Sequence, residues 1–368
     1  MNYKLITTDR LLPTAVTVLE QLIFTPSFST QEQDTAEVIE GLFHVLSIPY
    51  QRQGHNVWAR MLHWQEGKPV VLLNSHHDTV RPAAGWQRNP FRPTLEGDRL
   101  YGLGSNDAGG PLVSLIAAFM HFYQREDLPF NLILAATAEE EISGPNGIAA
   151  LLGELPPIAL GIIGEPTQLQ MAIAERGLMV IDAVVKGQAG HAAREEGINA
   201  IYLALEDITW IKGYQFEQVS PLLGPVKATV TQIEAGDQHN VVPDTCTYVI
   251  DVRTQECYTN AEVLDLLQRH THAELKPRSL RLNPSGIPES HPIVQAGLSL
   301  GLKTFGSPTL SDQALCPFPT IKIGPGDSAR SHTADEYIAI SEIEAGIEIY
   351  IQLLEVYGER VHRRGRSS

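Results

Sequence analysis

The sequence predicts an α/β fold in which a mostly parallel sheet carries helices on both faces and a smaller α+β sandwich domain is inserted. Three observations support this fold class. Short apolar strands alternate with helices over residues 1–175, as in parallel sheets. Residues 176–288 change to the order β, α, β, β, α, which is typical of a separate compact sandwich. Helix and strand alternation then resumes over residues 289–368, so we expect these residues and residues 1–175 to form one domain.

Composition narrows the function classes. The chain has 368 residues with 43% hydrophobic content, which is enough for two domains. Its net charge of -16, from 27 basic and 43 acidic residues, argues against nucleic acid as a partner. An anionic substrate stays compatible with this charge, because bound dications can invert the local potential.

Cellular location is also suggested by the sequence. The three cysteines are odd in number and widely spaced, so they cannot form a closed disulfide framework and fit a reducing compartment. The N-terminal residues lack the pattern of a signal peptide, and no apolar run approaches the roughly 20 residues of a membrane span. We therefore expect a soluble cytoplasmic protein with no membrane partner.

The first elements are predicted to be structural. Residues 11–23 form an amphipathic helix pattern, and residues 29–32 (Ser-Thr-Gln-Glu) resemble a capping box that opens a second helix ending near Leu46. Residues 56–62 and 70–73 then read as neighbouring strands separated by a polar turn.

Imidazole and carboxylate groups follow the strand at residues 70–73. The strand leads directly into His76, His77 and Asp78, where open α/β sheets place their ligands. Asp107 lies in a glycine-rich turn just before a helix over residues 112–122. Zn²⁺ takes this ligand set, although a His-x-Asp pair at a strand end is also compatible with a hydrogen-bonded turn.

Further carboxylates follow the next two strands. Residues 130–136 form an apolar strand that ends in Glu139, Glu140 and Glu141, and residues 159–163 form another that ends before Glu165. Adjacent carboxylates repel each other and favour a functional site, with a solvated acidic loop as the alternative. The ends of several strands therefore deliver acidic groups to one rim.

The remaining elements follow the two-domain pattern. The inserted domain is predicted to contain strands at 176–186, 226–234, 247–253 and near Leu280, and helices at 199–210 and 260–272. A helix at 292–302, a strand at 319–323, a glycine turn at 324–326 and a helix at 341–357 then resume the first domain. His332 lies between that turn and the final helix.

Six motifs together resemble a known family. NSHHDTV, GLGSNDAGG, TAEEE, GEPT, GQAGHAA and SHTADEY occur in the order and spacing of the M20 family of co-catalytic zinc peptidases and deacylases. The resemblance is to the branch that contains acetylornithine deacetylase and succinyl-diaminopimelate desuccinylase. It covers nearly the whole chain, including the inserted domain.

The resemblance implies a two-zinc site. His76, Asp107 and Glu165 would hold one ion, and Asp107, Glu141 and His332 the other, with Co²⁺ or Mn²⁺ as possible substitutes. Asp78 would hydrogen-bond His76 and fix its tautomer. Glu140 would be the general base that takes a proton from water and passes it to the leaving amine. His77 should point to the other face of the strand and be structural.

The inserted domain is implied to complete the site. His191 would supply an oxyanion donor to the partner subunit of a homodimer, with a capping or surface histidine as the alternative. Asn240 and Arg253 would contact the substrate carboxylate, although a salt bridge from Arg253 to a nearby aspartate is the other possibility. In the resumed first domain, the glycine turn that begins at Gly324 would offer backbone donors to the substrate, with an ordinary glycine turn as the alternative.

The implied function is hydrolysis of the Nα-acyl amide of a small amino acid. N-acetylornithine or N-succinylornithine in arginine biosynthesis is the expected substrate, with N-acetylcitrulline as a further possibility. A metallo-dipeptidase or aminopeptidase of the same family and a silent homologue that binds metabolites or partners are the alternatives. The chain departs from many relatives at Leu103 and at Ala108 and Gly109, where an Arg and a Met-Lys pair are common. This turn borders the pocket, so we expect the departure to affect substrate specificity.

Overall fold

The computed structural model describes residues 8–194 and 196–365. Residues 1–7, on which part of the expectation about a signal peptide rests, lie outside this range. The chain divides into two compact units, the first formed by Met1–Ile173, Ile287–Phe305 and Ser311–Ser368 and the second by Ala174–Gly286 and Gly306–Leu310. In the described residues, no helix is both long enough and apolar enough to cross a membrane.

The regular elements are numbered in chain order. The helices are α1 (Leu11–Phe24), α2 (Gln33–Val45), α3 (Gly110–Phe122), α4 (Ile148–Leu151), α5 (Ala200–Gly213), α6 (Asn260–His270), α7 (Pro292–Ser299) and α8 (Ile340–Gly365). The strands are β1 (Tyr50–Gln53), β2 (Asn56–Arg60), β3 (Val70–His76), β4 (Thr94–Glu96), β5 (Arg99–Tyr101), β6 (Asn131–Thr137), β7 (Leu160–Ile163), β8 (Met171–Glu175), β9 (Met179–Lys186), β10 (Gly190–His191), β11 (Lys227–Ala235), β12 (Val241–Val242), β13 (Thr245–Arg253), β14 (Glu274–Pro277), β15 (Ser285–Gly286), β16 (Thr304–Ser307), β17 (Thr320–Lys322) and β18 (Tyr337–Ala339).

A large sheet organises the first unit. Its strands lie in the order β1-β2-β6-β3-β7-β17-β8-β15, and β16 also pairs with β8. The four central strands β6, β3, β7 and β17 are parallel, and the strands that flank them, β2 and β8, pair antiparallel to β6 and β17. Parallel neighbours end at the same edge of a sheet, so the residues that follow these four strands meet there. Strands β4, β5 and β18 form a separate small sheet.

Both faces of the central strands are covered, because alternate side chains of a strand point to opposite faces. Val71 and Leu73 of β3 belong to the larger core, which also contains buried residues of α1, α2, α3, α7 and α8. Leu72 of the same strand packs in a smaller cluster with Ile148 and Leu151 of α4. The predicted α/β class with helices on both faces is confirmed.

The predicted capping box at residues 29–32 is wrong. Helix α2 begins at Gln33 without a side-chain cap. The Ser29 hydroxyl instead donates to Asp78 Oδ2 at 2.7 Å, and the buried Glu32 carboxylate accepts the backbone N–H groups of Thr30 and Glu139. These side chains bind loops that are distant in the sequence, which a local motif cannot reveal.

The second unit has its own core. Its antiparallel sheet runs β11-β13-β9-β14, and alternate residues of β9 and β13 are buried against α5 and α6. Asn199 caps α5, and Thr259 and Glu262 form a capping box at the start of α6. The strand predicted near Leu280 lies earlier, at β14, because Leu275 is buried in this core whereas Leu280 is exposed.

Candidate metal centre

The candidate site lies at the edge where the four parallel strands end. His76 is the last residue of β3, Glu140 and Glu141 follow β6, and Glu165 follows β7. His332 lies in the segment between β17 and β18. Asp107 comes from the turn that precedes α3, and it has an extended backbone (φ -119°, ψ 99°). The chain therefore brings together the residues predicted as ligands from five separate segments.

The first ligand group surrounds His76. Its Nε2 atom lies 3.4 Å from Asp107 Oδ1, 3.7 Å from Glu165 Oε1 and 3.8 Å from Glu140 Oε2. The atom is buried and has no hydrogen-bond partner. A buried nitrogen without a partner is costly, and a cation held between it and the carboxylates would satisfy all of these atoms.

The second ligand group shares Asp107 with the first. His332 Nε2 lies 3.7 Å from Asp107 Oδ2 and 3.0 Å from Glu141 Oε2. In each group, one candidate ligand atom per residue lies within 4.8 Å of the others. Asp107 thus presents one carboxylate oxygen to each group, as a bridging carboxylate does between two ions. Two imidazoles and three carboxylates fit a pair of Zn²⁺ ions or similar dications.

Asp78 lies behind the site. Its carboxylate accepts the backbone N–H groups of Glu140 at 3.0 Å and Glu141 at 3.2 Å as well as the Ser29 hydroxyl. His76 Nδ1 lies 3.3 Å from Asp78 Oδ1 and 3.0 Å from its backbone carbonyl oxygen. Contacts at Nδ1 leave Nε2 facing the ligand group, so Asp78 orients both an imidazole and the turn that carries two carboxylates.

His77 has a structural environment, as predicted. Its Nδ1 lies 2.9 Å from the Thr35 hydroxyl and its Nε2 lies 3.0 Å from the His55 carbonyl oxygen. Burial lowers the pKa of His77 to about 4, so the ring is neutral at physiological pH.

The turn after β6 is held by a row of side-chain acceptors. The backbone N–H of Ala138 donates to Asn56 Oδ1, that of Glu139 to Glu32, and those of Glu140 and Glu141 to Asp78. Glu139 has a left-handed backbone (φ 56°), and its carboxylate accepts hydrogen bonds from the backbone N–H and the side-chain amide of Asn146. These bonds direct Glu139 away from its two neighbours. They also show that the acidic run is not a solvated loop.

Electrostatics at the site favour a bound cation. Burial raises the pKa of Glu165 to about 8, and burial also raises the pKa of Glu140 well above its ordinary value. The pKa of His332 is raised to about 9, chiefly by its hydrogen bond to Glu141. Carboxylates this close together repel each other, and dications bound among them would reverse these shifts.

Sequence reasoning missed two buried carboxylates beside the site. Glu336 accepts the backbone N–H groups of Gly104, Asn106 and Asp107, and it lies four residues after His332 in the SHTADEY motif. Asp312 accepts hydrogen bonds from Asn74 and Thr137, and burial raises its pKa to about 6. Asp312 belongs to the segment between β16 and β17, which contains none of the six motifs, so the sequence held no signal for it.

Three other predicted site residues are described within the second unit. His191, Asn240 and Arg253 belong to the second unit. His191 and Asn240 are exposed, and His191 Nδ1 accepts the Ala193 N–H at 3.1 Å. Arg253 donates to both carboxylate oxygens of Asp251 at 2.8 and 3.1 Å, which is the salt bridge considered as the alternative.

Gly324 belongs to the first unit. Its N–H donates to the Thr167 hydroxyl at 3.1 Å, so this donor has a partner within the protein. A side chain at this position would begin 2.6 Å from the Glu165 carbonyl oxygen. The glycine therefore permits the close approach of the segment after β17 to the segment that carries a candidate ligand.

Comparison with known proteins gives consistent results. The model of peptidase family M20/M25/M40 matches residues 72–356. The chain is 30% identical over 383 residues to an acetylornithine deacetylase of Proteus mirabilis (strain HI4320), covering 94% of this chain and 97% of that protein. It is 28% identical to a succinyl-diaminopimelate desuccinylase of Gluconobacter oxydans (strain 621H), covering 67% of this chain and 69% of that protein.

Solved structures show the same fold. A dinuclear metal-binding peptidase of the M20 family from Bacillus subtilis superposes with a TM-score of 0.73 at 17% identity, covering 95% of this chain and 99% of that chain. At this level of identity, the likeness concerns the fold.

Proposed function

Because this chain belongs to the M20/M25/M40 family of metal-dependent amidohydrolases, we propose that it holds two zinc ions and hydrolyses the Nα-acyl amide of a small amino acid. N-acetylornithine or N-succinylornithine is the proposed substrate, and ornithine for arginine biosynthesis in the cytoplasm is the proposed product. The proposal combines the family with the donor set of the site.

The observation that carries the proposal is the sharing of Asp107 by two ligand groups. One group is completed by His76 and Glu165 and the other by Glu141 and His332. When bound, the two ions would polarise the amide carbonyl and lower the pKa of a water molecule. Glu140 lies beside the first group without belonging to either, which leaves its carboxylate available for proton transfer.

We assign the general base to Glu140. Its Oε2 is 3.8 Å from His76 Nε2, and its backbone is fixed by the bond from its N–H to Asp78. Its carboxylate therefore faces the first ligand group, where a proton acceptor would be needed. In this role Glu140 takes a proton from water and passes it to the leaving amine.

The roles of residues in the second unit are also proposals. His191 would donate to the oxyanion of the partner subunit in a homodimer, and its exposure is compatible with that role. Asn240 and Arg253 would bind the substrate carboxylate, for which Arg253 has to exchange its bond to Asp251. Gly324 stays a candidate substrate contact. The assignments of His191, Asn240 and Arg253 follow the match to family motifs.

The choice of substrate is supported by the names of the relatives. Both the Proteus mirabilis and the Gluconobacter oxydans proteins are named for removal of an acyl group from a diamino acid. A test compares amine release from Nα-acetylornithine, Nα-succinylornithine, Nα-acetylcitrulline and a panel of dipeptides, using the zinc-loaded full chain. We expect cleavage of an acyl-ornithine to dominate. Preferential cleavage of dipeptides would reject the proposed substrate class.

A further inference from the structure

Glu336 is a buried carboxylate that is neither a candidate ligand nor the proposed base. Its Oε1 accepts the backbone N–H groups of Asn106 and Asp107, both at 2.9 Å, and its Oε2 accepts that of Gly104 at 3.0 Å. Its own backbone carbonyl oxygen accepts the N–H of Gly102 at 3.0 Å. One residue therefore binds the turn at residues 102–107 at four points.

Placing this charge behind Asp107 has an electrostatic cost. The Glu336 side chain is buried, and its carboxylate binds the backbone of Asp107, a residue that carries a carboxylate of its own. A neutral side chain could fill the same volume without repelling Asp107. Three converging backbone donors offset the cost and fix the turn, because each lost bond would leave a buried N–H without a partner.

The bonds of Glu336 connect two ligand-bearing segments. The turn at residues 102–107 supplies Asp107, and the segment that contains Glu336 supplies His332, four residues earlier. Both of these ligands belong to the second group, with Glu141. In the first group, the other ligands are His76 at the end of β3 and Glu165 just after β7, which neighbouring strands hold in register. The spacing within the second group thus depends more strongly on Glu336.

We propose that Glu336 is a positioning residue that holds Asp107 at a fixed distance from His332, so that its alteration weakens the second metal ion more than the first. This inference rests on the proposed two-zinc function. It concerns the geometry of the turn, which distinguishes it from a role for the negative charge alone.

Two substitutions separate geometry from charge. Glu336→Gln keeps an oxygen for the N–H groups of Asn106 and Asp107, loses the acceptor for Gly104 and removes the charge. Glu336→Asp keeps the charge but shortens the side chain by one methylene, which draws its oxygens away from the turn. A positioning role therefore predicts the larger defect in Glu336→Asp.

The experiment is calorimetric titration of Zn²⁺ into the metal-stripped full chain. For Glu336→Asp, we expect the second ion to bind about 10–100-fold more weakly, the range typical when a partner of a metal ligand is lost. The first ion should bind nearly as in the wild type. Glu336→Gln should recover most of the affinity for the second ion.

Asp207 provides a matched control. It is a buried carboxylate of the second unit that accepts the N–H groups of His272 and Ala273 and the hydroxyl of Tyr248. Asp207→Asn should lower the melting temperature and leave both zinc affinities unchanged, since it disturbs a comparable network with no metal ligand.

The possible results have distinct meanings. If the wild type binds two zinc ions and Glu336→Asp binds the second ion equally well, the inference is overturned and the proposed function stands. Weaker binding in Glu336→Gln than in Glu336→Asp would assign the effect to charge and overturn it as well. A wild type that binds fewer than two ions would overturn the proposed function, and the inference with it.

Discussion

Glu140 and Glu141 are adjacent in the chain but have different surroundings. Glu141 lies 3.0 Å from His332 Nε2, whereas Glu140 faces His76 Nε2 at 3.8 Å. Asp78 accepts the backbone N–H of both residues, which fixes the direction of each side chain. The different roles that we propose for them, base and ligand, therefore follow from the shape of one turn.

Replacing Glu140 should separate catalysis from metal binding. Glu140→Gln keeps the size of the side chain but removes the proton acceptor, so we expect kcat to fall by roughly 10²–10⁴ with both zinc ions retained. Steady-state kinetics and metal analysis measure the two quantities. Glu139→Gln is the matched control, because Glu139 bonds to Asn146 instead of facing the site. Near-normal turnover of Glu140→Gln would remove Glu140 from the mechanism.

His77 should make stability depend on pH. Its pKa is about 4 in the folded chain and 6.5 in the unfolded chain, so the unfolded state binds the proton first as pH falls. The stabilisation is complete above pH 6.5 and is lost as pH falls from 6.5 towards 4, by about 3 kcal/mol in total. Denaturant unfolding of the wild type and His77→Gln across this range measures the effect. The same slope in both proteins would contradict it.

The turn between β6 and α4 is fixed by backbone packing as well as hydrogen bonds. Gly147 lies against the start of the turn, and an added Cβ would come 2.1 Å from the carbonyl oxygen of Ala138. The clash is with backbone, so no rotation of a side chain can relieve it. The position of Glu140 and Glu141 therefore depends on this glycine, which is not one of the ligands.

Substitution of Gly147 should displace the turn. We expect Gly147→Ala to destabilise the protein by roughly 1–3 kcal/mol, the range for overpacking, and to weaken zinc binding. Gly153→Ala is the control, because its Cβ would meet the Ala150 carbonyl oxygen at an ordinary 3.5 Å. Thermal unfolding and zinc titration of both variants test the prediction, and equal behaviour of the two would refute it.

The central elements could be predicted because their signals are local. Apolar runs and helical periodicity identified α1, α3, β3, β6 and β7 to within two or three residues. The reason is that the apolar residues buried in the core form a recognisable pattern within each of these segments. The short strands β1, β4, β5 and β18 gave no such signal, because they are partly exposed. The five candidate ligands came from motifs, and the structure brings them together.

The supporting network could not be predicted, because its bonds join distant segments. Ser29 reaches Asp78 across 49 positions, and Glu336 reaches Asp107 across 229. Local reading assigned Ser29 to a helix cap, and the partner of Glu336 could not be guessed without the fold. Residues that hydrogen-bond distant segments can be identified only when the order of the strands in the sheet is known.

At the scale of the whole molecule, the proposed dimer makes a specific prediction. His191→Ala should lower kcat by roughly 10²–10³, as expected for loss of one oxyanion donor, without changing the melting temperature. Mixed dimers of His191→Ala with Glu140→Ala chains should regain part of the activity, because one of their two sites then has both residues. An absence of recovery would argue against a histidine that acts across subunits.

The most direct test of the central claim is to measure ornithine release from Nα-acetylornithine and Nα-succinylornithine by the metal-stripped chain as zinc is restored. We predict negligible turnover without metal and turnover of one substrate that rises until two zinc ions are bound per chain. Turnover that persists without metal, or a chain that binds two zinc ions and cleaves neither substrate, would contradict the proposed two-zinc deacylase.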